Sequence, residues 1–279
     1  MEKLCFTVEE TVSDMRISDY MKSRLSFSTS LITKVKYGGV SQNGEVVTMR
    51  ARVKSGDKIG ISFPEETSEN VVPMDIPLDI LYEDGHILAV NKPSDMPTHP
   101  SRSNHLPTLA NAVAHYLGEP FVFRAVNRLD RGTSGIVVIA KNPLSAAILG
   151  RYMKERRFKK KYLALISGIP EIKEGVIDAP IVRETEGNIK RVVREDGKRA
   201  ITEYKVIETL ADGNSLCEII LHTGRTHQIR VHMAHIGHAL VGDFLYGRER
   251  EGGYSLVCSE ISFPHPMTKE NVTIKITNS

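Results

Sequence analysis

The sequence predicts an α+β fold, with a mixed, largely antiparallel sheet in a large C-terminal domain and a small N-terminal α/β domain before it. Three observations lead there. Runs with strand character outnumber runs with helix character and do not alternate strictly with them, as they would in a doubly wound parallel fold. The pair Asp84-Gly85 splits two apolar runs, which signals a hairpin whose turn needs positive φ. A stretch with three prolines and five acids interrupts the pattern between residues 64 and 79.

The elements follow in chain order. Residues 16–58 hold nine Lys or Arg against three acids, so a basic module is expected over 12–65. Residues 66–78 read as the linker, because proline cannot donate to a helix or a central ladder. The large C-terminal domain is expected over 79–279. It opens with strands at 80–83 and 86–90. The continuous β-branched run at 135–140 reads as a buried strand. Leu144, Ala147, Ile148 and Tyr152 share one helical face, which makes 144–155 an amphipathic helix. Strands follow at 162–167, 202–208 and 216–222. The last helix is expected over 226–237, with Thr226 as its N-cap and Gly237 as its stop.

Composition narrows the function classes. Hydrophobic residues are 41% and charged residues 25% of 279, ordinary for a folded domain. No run approaches the roughly 18–20 apolar residues of a membrane helix. Acids stand where a signal peptide would have its apolar core, so a cytoplasmic protein is expected. Cys5, Cys217 and Cys258 are far apart and odd in number, and read as reduced thiols. No phosphate-cradling GxxxxGK[ST] or GxGxxG motif is present, so no nucleotide cofactor is expected. The histidines at 222, 227, 232, 235 and 238 include no HExxH, and no metal site is expected.

The chemistry centres on residues 126–135, Val-Asn-Arg-Leu-Asp-Arg-Gly-Thr-Ser-Gly. Asp130 could be a surface partner of its flanking arginines. It could equally be a carboxylate presented at a strand end by a glycine-bracketed turn. Three further segments bear on the choice: Val-Asn-Lys-Pro-Ser-Asp-Met-Pro-Thr-His-Pro-Ser at 90–101, Lys-Lys-Tyr-Leu-Ala-Leu-Ile-Ser-Gly at 160–168, and Thr-Gly-Arg-Thr-His-Gln-Ile-Arg opening 223–247. In type and order the four motifs resemble those of the RluA family of RNA pseudouridine synthases, over roughly 80–265.

The resemblance implies a reaction. Uridine in RNA becomes pseudouridine when the bond from ribose to uracil nitrogen breaks and rejoins at carbon 5, with no cofactor. It makes Asp130 the catalytic carboxylate and Arg225 its ion-pair partner, holding it ionised and oriented. Tyr162 becomes the active-site tyrosine. Its ring would stack on the target uracil, and its hydroxyl would take the proton from carbon 5. Arg128 would share a strand face with Asp130 and enter the RNA stack where the flipped uridine has left. Asn127 stands where many members carry histidine.

RNA contacts are expected from two places. The run at 154–161 has six bases and one acid, and Arg156, Arg157, Lys159 and Lys160 are its expected phosphate contacts. Residues 16–60 are similar to the RNA-binding module named after ribosomal protein S-four. By that similarity Lys34, Lys36, Arg50 and Arg52 contact phosphates. The expected partner is structured RNA, with large-subunit ribosomal RNA first and transfer RNA as the enzymatic alternative. A non-catalytic RNA-binding or assembly protein on the same fold is the rival from another class. Intact Asp130, Tyr162 and Arg225 favour the enzyme.

Overall fold

The computed structural model describes residues 3–66, 68, 71–100, 107–118, 120–247 and 253–276. The N-terminal unit contains β1 (Lys3–Thr7), β2 (Met15–Arg16), α1 (Ile17–Ser23), α2 (Thr29–Val35), β3 (Val40–Gln42), β4 (Glu45–Val46), β5 (Arg52–Val53) and β6 (Lys58–Ser62). One antiparallel sheet runs β1-β6-β3-β4, and β2 pairs separately with β5. The sheet thus takes in β1, which lies ahead of residue 12. Ile17, Tyr20 and Met21 of α1 and Leu31, Ile32 and Val35 of α2 are buried with Ile59 and Ile61 of β6. The Ser28 hydroxyl accepts from Leu31 N–H and caps α2. Asn43 and Gly44 both take positive φ, 52° and 95°, as a two-residue hairpin turn requires.

Asp57 fastens that hairpin. Its carboxylate accepts from the side chains of Gln42 and Asn43 and from Lys54 N–H, at 2.7–2.9 Å. The Asn43 and Lys54 hydrogen bonds hold its pKa below the ordinary 3.8. Its stabilising contribution is therefore full above the unfolded value and is lost as pH falls through the lower folded one. Asp57→Ala is expected to cost about 2 kcal/mol in urea unfolding at pH 7. The difference from wild type should shrink toward pH 3. An equal loss at both pH values would contradict this.

The described residues of the expected linker form no strand or helix, but they are tied to the fold. Glu66 pairs with Lys34 on one side and Arg124 on the other. The Asn111 amide donates to the Val72 carbonyl at 2.7 Å.

The catalytic unit continues with β7 (Asp79–Glu83), β8 (Ile87–Lys92), α3 (Leu109–Leu117), β9 (Ser134–Ala140), α4 (Pro143–Lys154), β10 (Lys159–Ile166), β11 (Glu174–Asp178), β12 (Ile181–Arg183) and β13 (Arg191–Val193). Then come β14 (Ile201–Thr209), β15 (Ser215–Leu221), α5 (Gln228–His235), β16 (Leu256–Pro264) and β17 (Asn271–Lys275). Sheet order is β11-β14-β15-β10-β16-β9-β8-β7, with β17 also on β16. Every pairing is antiparallel except β9 with β16. At that parallel contact Gly135, at φ 110°, lies against the Cys258 backbone, and a Cβ there would stand 2.4 Å from the Cys258 carbonyl oxygen. Only glycine fits. Strands β8 and β9 are almost wholly buried, which is why they read as continuous apolar runs.

Two local expectations are corrected. The β7–β8 hairpin forms, but neither Asp84 nor Gly85 takes positive φ. The Asp84 carboxylate instead accepts from His86 and Ile87 N–H at 2.7 and 2.8 Å, and this side-chain turn does the work of a strained backbone. The last helix starts at Gln228, not Thr226. His227 precedes it in the left-handed region, φ 57°, and gives no side-chain cap. Gly237, at φ 87°, lies just past its end.

Candidate active site

Three segments meet around a cavity of about 380 Å³: the loop 126–133, the start of β10, and 221–230 with the first turn of α5. Asp130, Tyr162, Arg128 and Arg225 all line it, as do Lys160, His227 and Arg230. Asp130 is the single carboxylate among the described residues of its lining.

The loop that carries Asp130 is built to stay put. The buried Asn127 amide donates to the Ile136 carbonyl and accepts from Val138 N–H, both at 2.9 Å. Asn127 thus ties the loop to β9 through two bonds. The Thr98 hydroxyl donates to the Leu129 carbonyl at 2.8 Å. Lys92, fully buried at the end of β8, donates to the carbonyls of Pro93, Met96 and Arg131. Burial pulls the Lys92 ammonium down to about 8, while the nearby Asp130 carboxylate pulls the other way. Asp130 itself is left with its side chain 38% exposed and its carboxylate free of the fold's hydrogen bonds among the described residues.

Arg128 is not in a strand. It is an exposed loop residue lining the cavity, with no ion pair among the described residues. Tyr162 is buried in the middle of the sheet, opposite Ile219 of β15 and Cys258 of β16. Burial first, then Cys258 and Asp130, pushes its phenol well above 10. The hydroxyl is therefore protonated at neutral pH, and Tyr162 offers a fixed ring and a hydrogen-bond donor rather than a ready base.

The expected pair between Asp130 and Arg225 does not form. Arg225 lies before α5 in a segment held by Gln228, whose amide oxygen accepts Arg225 N–H at 2.9 Å. Its guanidinium donates to the Arg199 carbonyl at 3.1 Å. The basic group nearest Asp130 is His227, with Nε2 at 4.0 Å from Oδ2. Behind it lies Arg230, bidentate to buried Asp243 at 2.7 Å on both arms and stacked on the Tyr246 and Tyr254 rings. Burial is the largest single influence and opposes its charge, but the Asp243 hydrogen bonds together with the electrostatic influence of Tyr254, Asp243 and Tyr246 outweigh it, so the guanidinium is held above its ordinary pKa.

His227 has a defined tautomer by hydrogen-bond accounting. The Tyr246 hydroxyl accepts from Arg191 N–H at 2.9 Å and lies 2.8 Å from His227 Nδ1. Its one hydrogen finds an acceptor if Nδ1 is unprotonated. The proton is then on Nε2, toward Asp130. Burial lowers the His227 pKa, Arg230 and Arg191 add to that, and Asp130 opposes it. A neutral imidazole thus presents an N–H toward the carboxylate. Tyr246→Phe frees the tautomer while keeping the ring. It is expected to lower turnover about tenfold with little change in KM, and ¹⁵N spectra of the histidines should show His227 leaving the Nε2–H form. An unchanged spectrum would refute the assignment.

Of the histidines that hint at a metal, His232 is held inside the fold. His232 Nδ1 faces the Thr202 hydroxyl and Nε2 the Ala179 carbonyl, both at 2.9 Å. Among the described residues no cluster of His, Cys, Asp and Glu could hold an ion.

The expected phosphate contacts divide. In the basic run, Arg156 is exposed and unpaired, and Arg157 lies over the Tyr152 ring and near Glu155. Lys159 is exposed, and Lys160 is drawn into the cavity wall. In the N-terminal unit, Arg52 is engaged by Asp14 at 2.6 Å and Lys34 by Glu66, whereas Lys36 and Arg50 meet no carboxylate among the described residues. Sequence reasoning missed His227, Arg230, Tyr246 and Tyr254. The spacing of His227 and Arg230, three apart at a helix start, was the one signal that could have paired them.

Known proteins resemble this chain along most of its length. Residues 86–235 match the family model described as RNA pseudouridylate synthase. An uncharacterized RNA pseudouridine synthase of Bacillus subtilis, YjbO, is 41% identical over 266 residues, covering 92% of this chain and 93% of that one. Ribosomal large subunit pseudouridine synthase D of Zymomonas mobilis is 36% identical over 252 residues, 83% of this chain and 79% of that one. The solved structure of human RNA pseudouridylate synthase domain containing 1 superposes with a TM-score of 0.61 at 30% identity, over 72% of this chain and 84% of that one. The chain belongs to the RNA pseudouridine synthases, in the RluA family.

Proposed function

We propose that this isomerase converts specific uridines of large-subunit ribosomal RNA to pseudouridine in the cytoplasm, with Asp130 as the catalytic carboxylate. The observation that carries the reading is the isolation of Asp130. It is the one carboxylate among the described residues lining a cavity of nucleoside size, on a loop fixed by Asn127, Thr98 and Lys92, yet its own oxygens are uncommitted. A catalytic carboxylate needs that combination of a rigid seat and a free pair of oxygens.

The chemistry follows from placement. The glycosidic bond is out of reach in stacked RNA, so the uridine flips into the cavity, and exposed Arg128 fills the place it leaves. The Tyr162 ring holds the uracil. Asp130 then adds to the uracil ring, attacks the anomeric carbon or removes a sugar proton. Each route needs the carboxylate at the same bond. The His227 ring, 4.0 Å away, is the basic group that faces it. Arg156, Lys159 and Lys160 beside the cavity, and Lys36 and Arg50 in the N-terminal module, contact phosphates. Ribosomal RNA is favoured over transfer RNA because the large-subunit synthase of Zymomonas mobilis matches along most of both chains.

The test is direct. Purified enzyme is incubated with transcribed large-subunit ribosomal RNA and, separately, with bulk transfer RNA, and pseudouridine is mapped in each. New sites in the ribosomal transcript support the reading. Sites confined to transfer RNA would change the substrate. Binding without conversion of either would favour the non-catalytic rival.

A further inference from the structure

A second cavity, of about 390 Å³, lies beside the first. The two share a wall formed by Met153, Lys160, Leu221 and Gly224. Gly224 contributes no side chain there, and the nearest atom to where one would stand is the Lys160 ammonium at 4.0 Å. The Lys160 ammonium thus stands at the junction of the two cavities.

The lining has two characters. Phe158, Ile220 and Leu221 supply apolar surface, and Phe158 is fixed by stacking on Phe263 at 5.0 Å. Arg156, Lys159 and Lys160 supply charge, and their side chains have no ion pair or hydrogen bond among the described residues. The remaining charged groups each have a partner. Glu203 lies 2.9 Å from the His222 ring, Glu260 pairs with Lys275 at 3.0 Å and Lys161 with Glu218 at 3.0 Å. Three free cations against at most one uncompensated carboxylate, Glu203, leave the net charge of the lining positive. An apolar slot takes a base, and free cations beside it take a phosphate. The volume is in the range of small-ligand sites and matches that of the neighbouring cavity.

Building on the pseudouridine synthase reading, we propose that the second cavity receives a nucleotide adjacent to the target uridine, extruded with it. Its base lies against Phe158 and Ile220. The phosphate that joins it to the uridine lies at Lys160, where the cavities meet. Recognition of this neighbour makes the cavity a determinant of which uridine is chosen.

The test uses the full-length enzyme and the shortest stem–loop it converts, found by trimming the ribosomal transcript around the modified uridine. Each flanking nucleotide is replaced in turn by an abasic one. Ser262 of β16 lines the second cavity and not the first, so Ser262→Trp fills the slot. His222→Trp fills it from the residue after β15 should the first variant fold poorly. One abasic position is expected to raise KM about tenfold in wild type with kcat within twofold. The filled variant should show that increase on intact RNA and lose the abasic penalty. An undiminished penalty in the filled variant, or no sensitive flanking position, overturns the second site while leaving turnover intact. If wild type converts no RNA at all, the underlying reading fails instead.

Discussion

Asp130→Asn is expected to fold as wild type does, bind RNA with the same Kd and make no detectable pseudouridine. The stability part follows from what the side chain touches. Its carboxylate enters no hydrogen bond among the described residues, the basic side chain nearest it is the His227 imidazole at 4.0 Å, and it is 38% exposed. Asn has the same shape, and the Thr133 N–H bond to the residue 130 carbonyl survives. The thermal midpoint should move by no more than about 2 °C, since a surface-type change costs within about 0.5 kcal/mol. The activity part follows from the cavity. No other carboxylate lines it among the described residues, and an amide is neither nucleophile nor base at neutral pH. A loss of kcat of at least about 10⁴-fold is expected, the scale on which catalytic nucleophiles act. Single-turnover assays with filter binding on the same samples separate the two parts. Retained turnover would remove Asp130 from the chemistry.

Asp243→Asn should behave in the opposite way and fail on stability first. Asp243 is fully buried, its side chain is bidentate to buried Arg230, and one of its oxygens also accepts from Leu245 and Tyr246 N–H. Asn can keep the two backbone bonds but leaves a guanidinium buried without its counter-charge. That situation costs about 3–5 kcal/mol, or roughly 10 °C in a chain of this size. Turnover at permissive temperature should fall as well, because Arg230 helps form the wall behind His227. A double change, Arg230→Met with Asp243→Leu, removes both charges together. It should be more stable than Asp243→Asn and still be inactive, because the cavity loses the guanidinium that backs His227. Urea unfolding of the three proteins checks the order. A double variant less stable than the single one would mean that packing, not charge, holds this corner.

Much of the site was legible in the sequence, and the part that was not has a common cause. Asp130 and Tyr162 were singled out through the resemblance of their motifs, the glycine-bracketed loop of 126–135 and the segment that forms β10, and both line the cavity. Their meeting in one cavity is what the sheet order delivers. Arg225 was paired with Asp130 by proximity to the right motif, but sequence does not say which of two arginines, five apart, faces inward. That is decided by the left-handed turn at His227, which starts α5 two residues late and brings His227 and Arg230 to the cavity. The Asp84 turn failed on similar grounds. Asp-Gly allows positive φ, but the Asp84 carboxylate could satisfy the two following N–H groups without it. Asn127 looked like a departure from the family pattern, and its two bonds to β9 show a residue chosen for an amide's donor and acceptor. The hairpin of β12 and β13, whose Arg191 N–H holds Tyr246, was not assigned, because its three-residue strands carry no clear alternation.

Pseudouridine mapping of total RNA, from cells lacking this gene and from the same cells given back either the wild-type gene or Asp130→Asn, tests the central claim most directly. One or more sites in large-subunit ribosomal RNA should vanish on deletion, return with the wild type and stay absent with Asp130→Asn. Restoration of those sites by Asp130→Asn would contradict the account.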